Sequence, residues 1–308
     1  MEVLVVGAGT IASRVALACS LSGHGVKILG RPGSSYARAR ESIDSGFGEL
    51  SAAGLLPATA EGWRERVTFL DPGDGAIPSD LAIEAVNEDL ALKQSVFEML
   101  ERRLPRRAIL TSSTSGLPVD AIAARCTAPE RVAVMHFANP AHLMPAVELV
   151  PGTGTDAKTM DSLEAFVRGL GKRPIRLKRD IPGHIFNRIQ FAMLREAMAL
   201  AGEGVASPAD IDEVVKRGLA LRLAEEGPLE KMDLAGLELV SSVATYLFPD
   251  LDASRSPDVI DSMLQQGQRG AASGQGFHAW NEQRVRDVLG RRNAEVIRHL
   301  RRLAGIAD

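Results

Sequence analysis

The chain has 308 residues, of which 45% are hydrophobic and 24% charged, and its formal net charge is -3 at pH 7. This composition predicts a globular protein of one to three domains, and it gives no reason to expect nucleic acid or an anionic membrane as a partner. The only two cysteines, Cys19 and Cys126, exclude a disulfide framework and favour a reducing, cytoplasmic location. We expect no signal peptide and no membrane-spanning segment, because residues 1–9 are typical of a buried strand and no apolar run is long enough.

Short apolar segments alternate with helical ones over the first part of the chain. The pattern predicts strands at residues 3–6, 26–29, 67–70, 81–86, 108–111, 132–136, 147–150 and 174–177, and helices at 10–21, 34–53, 89–103 and 156–170. Such alternation is typical of a mostly parallel sheet with helices on both faces. After residue 183 helices dominate, beginning with an apolar-periodic helix at 186–203 and a helix start at Ser207-Pro208.

A glycine-rich turn joins the first predicted strand to the first predicted helix. In Gly7-Ala8-Gly9-Thr10-Ile11-Ala12 the first glycine permits a tight turn, and the second lets the backbone approach a pyrophosphate at the positive end of the helix. This context predicts dinucleotide binding by Gly7, Gly9, Thr10 and Ile11, although a glycine-rich turn of another α/β fold is the alternative. We therefore predict an α/β fold: a Rossmann-like dinucleotide-binding domain over residues 1–182, followed by an all-helical domain for substrate binding and dimerisation over residues 183–308.

The end of the second predicted strand bears on which dinucleotide binds. An NAD-binding chain usually presents a carboxylate there to the ribose hydroxyls, but this sequence has Gly30 followed by Arg31. Arg31 can pair with a 2′-phosphate, and Ser34 or Ser35 can donate hydrogen bonds to it. The alternative is that Arg31 stacks on the adenine and NAD binds. The sequence favours NADP over NAD.

A histidine and a glutamate stand at the ends of two neighbouring apolar segments. A carboxylate such as Glu148 that accepts a hydrogen bond from one nitrogen of His136 fixes the tautomer, so that the other nitrogen can serve as an acid or base. A histidine beside a proline turn is otherwise a structural feature. Two more polar positions accompany the pair: a hydroxyl cluster, residues 111–115, follows a strand, and Asn187 begins the helix that leaves the first domain.

These motifs together resemble the 3-hydroxyacyl-CoA dehydrogenase family, which includes the L-gulonate 3-dehydrogenase (lambda-crystallin) type, carnitine dehydrogenase and some pyridine-carboxylate dehydrogenases. The likeness runs nearly end to end. It rests on the glycine turn and on Ser113-Thr114-Ser115, His136-Phe137-Ala138-Asn139-Pro140, Val147-Glu148-Leu149-Val150-Pro151 and residues 84–90, 182–188 and 274–277.

The resemblance implies an NAD(P)-dependent dehydrogenase that oxidises a 3-hydroxyacyl-type secondary alcohol to the keto product by hydride transfer. His136 would be the general base, oriented by Glu148, while Ser115 and Asn187 would bind the substrate oxygen. The residues implied to line the cofactor, besides the glycine turn and the Gly30–Ser34 corner, are Glu88, Lys93, Ser113, Ser115 and Asn139. The resemblance also implies a homodimer formed through the helical domain, and neither it nor the cysteine spacing points to a metal.

Two departures from the family bear on the substrate. Hydroxyacyl-CoA enzymes carry a lysine-rich excursion after the second strand that holds the CoA tail, whereas residues 38–66 contain no lysine and four glutamates, and Ala271-Ala272 replaces the family's lysine before its closing glycine segment. Residues 218–222 and 226–230 resemble the gulonate type, whose substrates are small hydroxy acids. A gulonate- or carnitine-like dehydrogenase that needs no CoA is therefore the alternative. A non-catalytic, crystallin-like protein is an alternative of another class, which the full set of site residues disfavours.

Arg222 lies in the segment that resembles the gulonate type. We predict that it anchors a substrate carboxylate, because a guanidinium binds a carboxylate through two parallel hydrogen bonds. A salt bridge from Arg222 to Glu225 or Glu226 is the alternative. Ser112, in the hydroxyl cluster, is the other residue expected to contact substrate.

Overall fold

The structure, a computed structural model, describes residues 1–71, 73 and 75–306. Contacts divide the chain into two compact units. The first comprises residues 1–188 together with 292–308, and the second comprises residues 189–291. The sequence placed a single boundary at residue 182; the structure instead groups residues 183–188 and the C-terminal segment with the first unit.

Among the described residues, the first unit contains an eight-stranded sheet in the order β3-β2-β1-β4-β5-β6-β7-β8. The strands are β1 Glu2–Val6, β2 Gly25–Leu29, β3 Val67–Leu70, β4 Leu81–Glu84, β5 Ile109–Ser112, β6 Val132–Phe137, β7 Ala146–Pro151 and β8 Arg173–Arg176. All neighbouring pairs are parallel except β6 and β7, which are antiparallel. The mostly parallel sheet predicted from the sequence is confirmed.

The central strands are buried on both faces, which explains their nearly continuous apolar sequences. Successive side chains of β1 point to opposite sides, so Val3 and Val5 join one hydrophobic cluster while Leu4 and Val6 join another. Helix side chains such as Leu17 and Phe97 complete the two clusters, one on each side of the sheet. This arrangement is the covered sheet that alternating strands and helices predict.

Four helices of the first unit follow the predicted positions closely: α1 Thr10–Leu21, α2 Ser34–Ala52, α3 Leu90–Arg103 and α5 Ala157–Gly169. The short helix α4 Val119–Ile122 was not predicted. Asp89 caps α3, since its Oδ1 accepts from the Leu92 amide at 2.8 Å, and Asp156 caps α5 in the same way. One predicted strand, 81–86, ends early at Glu84, because the amide of Val86 bonds to the Glu84 side chain at 2.7 Å instead of to a neighbouring strand.

Helices make up the second unit, as the sequence predicted. Helix α6, Phe186–Gly202, leads into it, and α7 Pro208–Val214, α8 Ala220–Leu223, α9 Pro228–Ala235, α10 Leu237–Leu247 and α11 Asp258–Gln265 follow. A short π-helix, Val215–Leu219, joins α7 to α8. The apolar run 234–247 is two helices divided at Gly236, whose φ is 88°.

No residue from Ile189 to Arg291, a range that the structure describes throughout, is buried within the chain. Large apolar side chains therefore face outward, among them Leu229 at 80% and Phe248 at 70% exposure. The run 234–247 is accordingly not a buried core helix of the single chain.

The last helix, α12 Glu282–Leu303, ends in the first unit. Its Asn293 side chain donates to Glu49 Oε2 of α2 at 3.2 Å, and Arg301 Nη1 donates to the Ala53 carbonyl at 2.8 Å. Val296, Ile297 and Leu300 pack against the hydrophobic cluster that contains Val3 and Val5. The C-terminal segment is thus part of the first unit's core.

We predict that Leu300→Ala destabilises the protein, because it removes apolar contacts with that cluster. A loss of about 1–2 kcal/mol is expected, below the range for a fully buried leucine because the Leu300 side chain is only partly buried. Leu303→Ala, on the same helix at a residue that is 65% exposed, is the matched control and should change stability by less than about 0.5 kcal/mol. Urea unfolding followed by circular dichroism measures both, and equal effects would show that α12 does not contribute to the core.

Candidate active site

The polar groups singled out in the sequence gather at one edge of the sheet. In the strand register Glu84 lies beside Val6 and Ser112, and Ser112 lies beside Val134. The segments that follow β1, β4 and β5 therefore open on the same edge as the end of β6, which carries His136. Open α/β sheets bind ligands at this carboxyl edge.

His136 and Glu148 face each other directly across the antiparallel pair β6 and β7. His136 Nδ1 lies 2.8 Å from Glu148 Oε2, and both residues are buried. Because a carboxylate oxygen only accepts, Nδ1 carries the hydrogen and Nε2 keeps a lone pair in the neutral ring. The contact between His136 and Glu148 that the sequence predicted is therefore present in the structure.

Both oxygens of Glu148 are occupied. While Oε2 faces His136, Oε1 accepts the backbone amides of Ile185 at 2.8 Å and Phe186 at 3.0 Å, at the start of α6. Burial alone would raise the pKa of the Glu148 carboxyl, but the hydrogen bonds from His136 and from these two amides outweigh burial and hold that pKa below its usual value. Glu148 is therefore an anion at neutral pH.

One short turn at the start of α6 encloses the pair. The rings of His184 and Phe186 lie 5.5 Å and 6.2 Å from the His136 ring, centroid to centroid. Asn187, next in sequence, donates from Nδ2 to the Ser115 carbonyl at 2.8 Å. Sequence analysis assigned a role to Asn187 but missed His184 and the amides of Ile185 and Phe186, which only the folded turn brings to Glu148.

A second buried ionic cluster secures the loops beside the site. Lys93 Nζ lies 2.8 Å from Glu84 Oε1 and 3.3 Å from Glu88 Oε2. Glu88 in turn accepts the Thr114 hydroxyl and, at 3.1 Å, the Ser115 amide. Because Lys93 is buried, its ammonium pairs with these two carboxylates. Glu88 is half-exposed, so its carboxylate is also accessible to a ligand. No role was predicted for Glu84, although it closes a buried strand and residues 84–90 carry part of the family resemblance.

The hydroxyls of the cluster after β5 have different surroundings. Ser112 is fully buried and its hydroxyl donates to Glu84 Oε2 at 2.6 Å, which does not support the substrate role predicted for it. Ser113 is half-buried, and its Oγ has no hydrogen-bond partner within the described part of the chain. Ser115 and Asn139 are exposed, so their side chains are available to a ligand.

The glycine turn has the shape that a pyrophosphate requires. Gly7 has φ 124°, and a Cβ there would lie 2.6 Å from the Ala85 carbonyl oxygen, so only glycine fits. Gly9 is the N-cap of α1 and gives the helix no side-chain cap, and the space beside its Cα is open. The first amides of α1, at Thr10 and Ile11, are thus free to meet an anion. These residues fit the pyrophosphate of a dinucleotide.

The segment that follows β2 carries the exposed guanidinium of Arg31. The Tyr36 hydroxyl fixes the strand end by accepting the Gly30 amide at 2.8 Å and by lying 2.7 Å from the Leu70 carbonyl oxygen. Arg31 is exposed, and its guanidinium has no partner within the described residues; Ser34, also exposed, begins α2. This arrangement is compatible with a 2′-phosphate.

Arg222 lies on α8 in the second unit and is exposed. Its guanidinium forms no ion pair with any residue that the structure describes, and Glu226 instead lies 4.0 Å from Lys231.

The residues that the structure describes contain no group of three or more histidine, cysteine, aspartate or glutamate side chains arranged to hold a metal ion. Nor is any of their helices long and apolar enough to cross a membrane.

A doubly covered, mostly parallel sheet, with a glycine turn shaped for a pyrophosphate and a His–Glu pair at the same edge, defines the class of nicotinamide-dependent dehydrogenases. Comparison with known families gives the same result. The NAD-binding domain of 3-hydroxyacyl-CoA dehydrogenase matches residues 2–181, and the C-terminal domain of the same enzyme matches residues 183–280. The chain belongs to the 3-hydroxyacyl-CoA dehydrogenase family and is an NAD(P)-dependent oxidoreductase acting on a CH–OH group.

Individual relatives differ in how much of the chain they resemble. The 5-formyl-3-hydroxy-2-methylpyridine 4-carboxylate 5-dehydrogenase of Mesorhizobium japonicum is 30% identical over 99% of this chain and 98% of its own length. A crystal structure of an NAD+-dependent enzyme of that activity superimposes with a TM-score of 0.92, at 29% identity, over 99% of both chains. The (S)-3-hydroxybutyryl-CoA dehydrogenase of Ralstonia eutropha has a TM-score of 0.74 at 30% identity, over 91% of this chain and 99% of its own.

We predict that Glu148→Gln abolishes the base without disturbing the fold. The Ile185 and Phe186 amides will hold the carbonyl oxygen of the new amide, which turns its NH₂ group toward His136 Nδ1. The ring is then forced to carry its hydrogen on Nε2 and cannot accept a proton from the substrate, so kcat should fall by about 10³-fold or more with little change in KM.

The test of this prediction is the initial rate of nicotinamide reduction. Glu61→Gln, an exposed glutamate of the first unit, is the matched control and should keep wild-type rates. A Glu148→Gln enzyme with wild-type kcat would remove Glu148 from the mechanism.

Proposed function

We propose that this protein oxidises the hydroxyl group of a small carboxylate substrate, with His136 and Glu148 as the base and its orienting anion. The observation that carries the chemistry is the buried 2.8 Å contact between His136 Nδ1 and Glu148 Oε2, which leaves Nε2 as the proton acceptor. The proposal favours the family's enzymes that need no CoA, which the sequence analysis gave as the alternative.

Two observations support a small substrate over a hydroxyacyl-CoA. The pyridine-carboxylate dehydrogenase superimposes on this chain with a TM-score of 0.92, against 0.74 for the hydroxybutyryl-CoA enzyme. Residues 38–66 carry no lysine that could meet the phosphates of CoA. A hydroxyacyl-CoA thioester remains the second candidate, favoured by the family itself.

The proposed reaction follows from the geometry of the site. His136 Nε2 takes the hydroxyl proton, and the imidazolium that forms is stabilised by the Glu148 anion 2.8 Å away. In the direction of reduction the same nitrogen returns the proton. Ser115 and Asn187 would bind the substrate oxygen, Ser115 through its hydroxyl and Asn187 through the amide oxygen that its contact with Ser115 leaves free.

The residues at the carboxyl edge would hold the dinucleotide, whose nicotinamide accepts the hydride when bound. Gly7, Gly9 and the first amides of α1 would meet the pyrophosphate. Glu88, Asn139 and Ser113 would line the ribose and nicotinamide side, Lys93 contributing through Glu88. A cytoplasmic location, consistent with the two free cysteines, completes the proposal.

For the cofactor, we predict a preference for NADP, set by Arg31. Arg31→Ala should lower kcat/KM for NADP⁺ by about tenfold or more, the loss expected for one charge-assisted contact to phosphate, and leave kcat/KM for NAD⁺ within twofold of wild type. Arg38→Ala, an exposed arginine on α2, is the matched control. Equal effects on both cofactors, or a wild-type preference for NAD⁺, would contradict the role given to Arg31.

For the substrate, we predict that small hydroxy carboxylates support turnover and that Arg222 binds their carboxylate. Arg222→Ala should raise KM by about tenfold or more, because a charge-assisted contact is lost, while kcat changes little. Arg217→Ala, in the neighbouring π-helix, is the matched control. Initial rates with such acids and with 3-hydroxybutyryl-CoA test the proposal. Turnover of the thioester alone would favour the second candidate, and turnover of neither would favour a non-catalytic, crystallin-like role.

We also propose a homodimer formed through the second unit. A helical unit in which no residue is buried has not covered its own apolar surface, and a second copy of the same face supplies that cover. Light scattering after size exclusion should give twice the chain mass of 32.9 kDa. A stable monomer at micromolar concentration would contradict the proposal.

A further inference from the structure

The ring of His184 lies beside the catalytic pair without a hydrogen bond to it. The inference drawn from this placement rests on the proposed function of His136 and Glu148. We propose that His184 is a positioning residue: its uncharged ring holds the plane of the His136 imidazole, and its backbone aims the next two amides at Glu148.

The ring contact constrains the one rotation left to His136. The bond from Nδ1 to Glu148 fixes one point of the imidazole but still permits a tilt about that point. His184 is completely buried and meets the His136 ring at 55°, while Phe186 meets it at 64°. These two ring contacts hold the His136 imidazole in one orientation, so its Nε2 points in one direction. A base needs this because it must meet the substrate hydroxyl at a defined position.

The backbone at His184 does a second task. Its φ of 51° is the only positive value of a residue other than glycine among the residues that the structure describes. This left-handed turn places the amides of Ile185 and Phe186 on Glu148 Oε1. Asparagine, aspartate and histidine adopt this conformation several times more often than other residues with side chains. Histidine is the one of these three that also carries a ring.

The charged and titratable groups that face His184 keep its ring neutral. His136 on β6, Glu148 on β7, Asp180 after β8 and the Thr114 backbone after β5 are the neighbours. Burial, followed by repulsion from His136, lowers the pKa of His184, and this outweighs Glu148, Asp180 and the Thr114 backbone, which raise it. The closest carboxylate contact, from Nδ1 to Asp180 Oδ1, is long at 3.8 Å. A neutral ring adds no positive charge next to the imidazolium that His136 becomes.

Two substitutions separate the ring from the turn. His184→Asn keeps a residue suited to the left-handed turn and removes the ring, whereas His184→Phe keeps a ring and strains the turn. We expect His184→Asn to fold, with a melting temperature lowered by the cavity that the lost ring leaves but a cofactor affinity close to wild type. Its kcat should fall by about tenfold or more through misorientation of His136. We expect His184→Phe to melt earlier but to retain kcat within threefold in the folded enzyme. His299→Asn, on α12, is the matched control for the histidine-to-asparagine change.

A readout that needs no substrate keeps this inference separate from the proposed function. We expect the hydrogen that His136 Nδ1 donates to Glu148 to give a far-downfield proton resonance in the intact protein. We expect this resonance to broaden or move in His184→Asn and to persist in His184→Phe. An unchanged resonance together with an unchanged kcat in His184→Asn would overturn the proposal. If no tested acid is turned over, kcat cannot be measured, and an unchanged resonance alone overturns the proposal. Equal loss of kcat in both variants with an unchanged resonance would also overturn it, and would point to proton transfer by the His184 nitrogens.

Discussion

The contact between His136 and Glu148 is the interaction on which the site depends, and the sheet is arranged around it. In a wholly parallel sheet these residues, 12 positions apart, could not lie opposite each other, because parallel neighbours need a long crossover. The reversal of β7 makes them a direct cross-strand pair. A carboxylate buried there would be costly alone, and the amides at the start of α6 complete its hydrogen bonds, so helix and sheet are joined at the Glu148 side chain.

The buried ammonium of Lys93, near the same edge of the sheet, is also surrounded by groups that compensate its charge. Lys93 lies between Glu84 and Glu88, and Ser112 and the Val86 amide fill the remaining positions around Glu84. Buried ion pairs of this kind contribute little net stability but are costly to break, so they favour one arrangement of the loops. The loops that carry Glu88 and Ser115 are consequently fixed before any ligand binds.

Patterns of hydrophobicity predicted most of the fold from the sequence, because strands buried on both faces, such as β1 and β6, are continuous apolar runs. The motif around His136 and Glu148 likewise predicted the pair. What the sequence could not show depends on register and tertiary contact. Ser112 is indistinguishable from Ser115 until the sheet aligns it with Glu84, 28 residues away. Whether the apolar run 234–247 is covered depends on whether a second copy of the chain binds to it.

The chain order of the two units has a consequence for biosynthesis. The second unit interrupts the first, and Asn293 and Arg301 bond to residues 244 and 248 positions earlier in the chain. During translation the sheet can form from the first 188 residues, but one surface of its core stays open until the final helix leaves the ribosome. Such long-range closure is slow, and the nascent first unit would expose an apolar groove for as long as the second unit is being made.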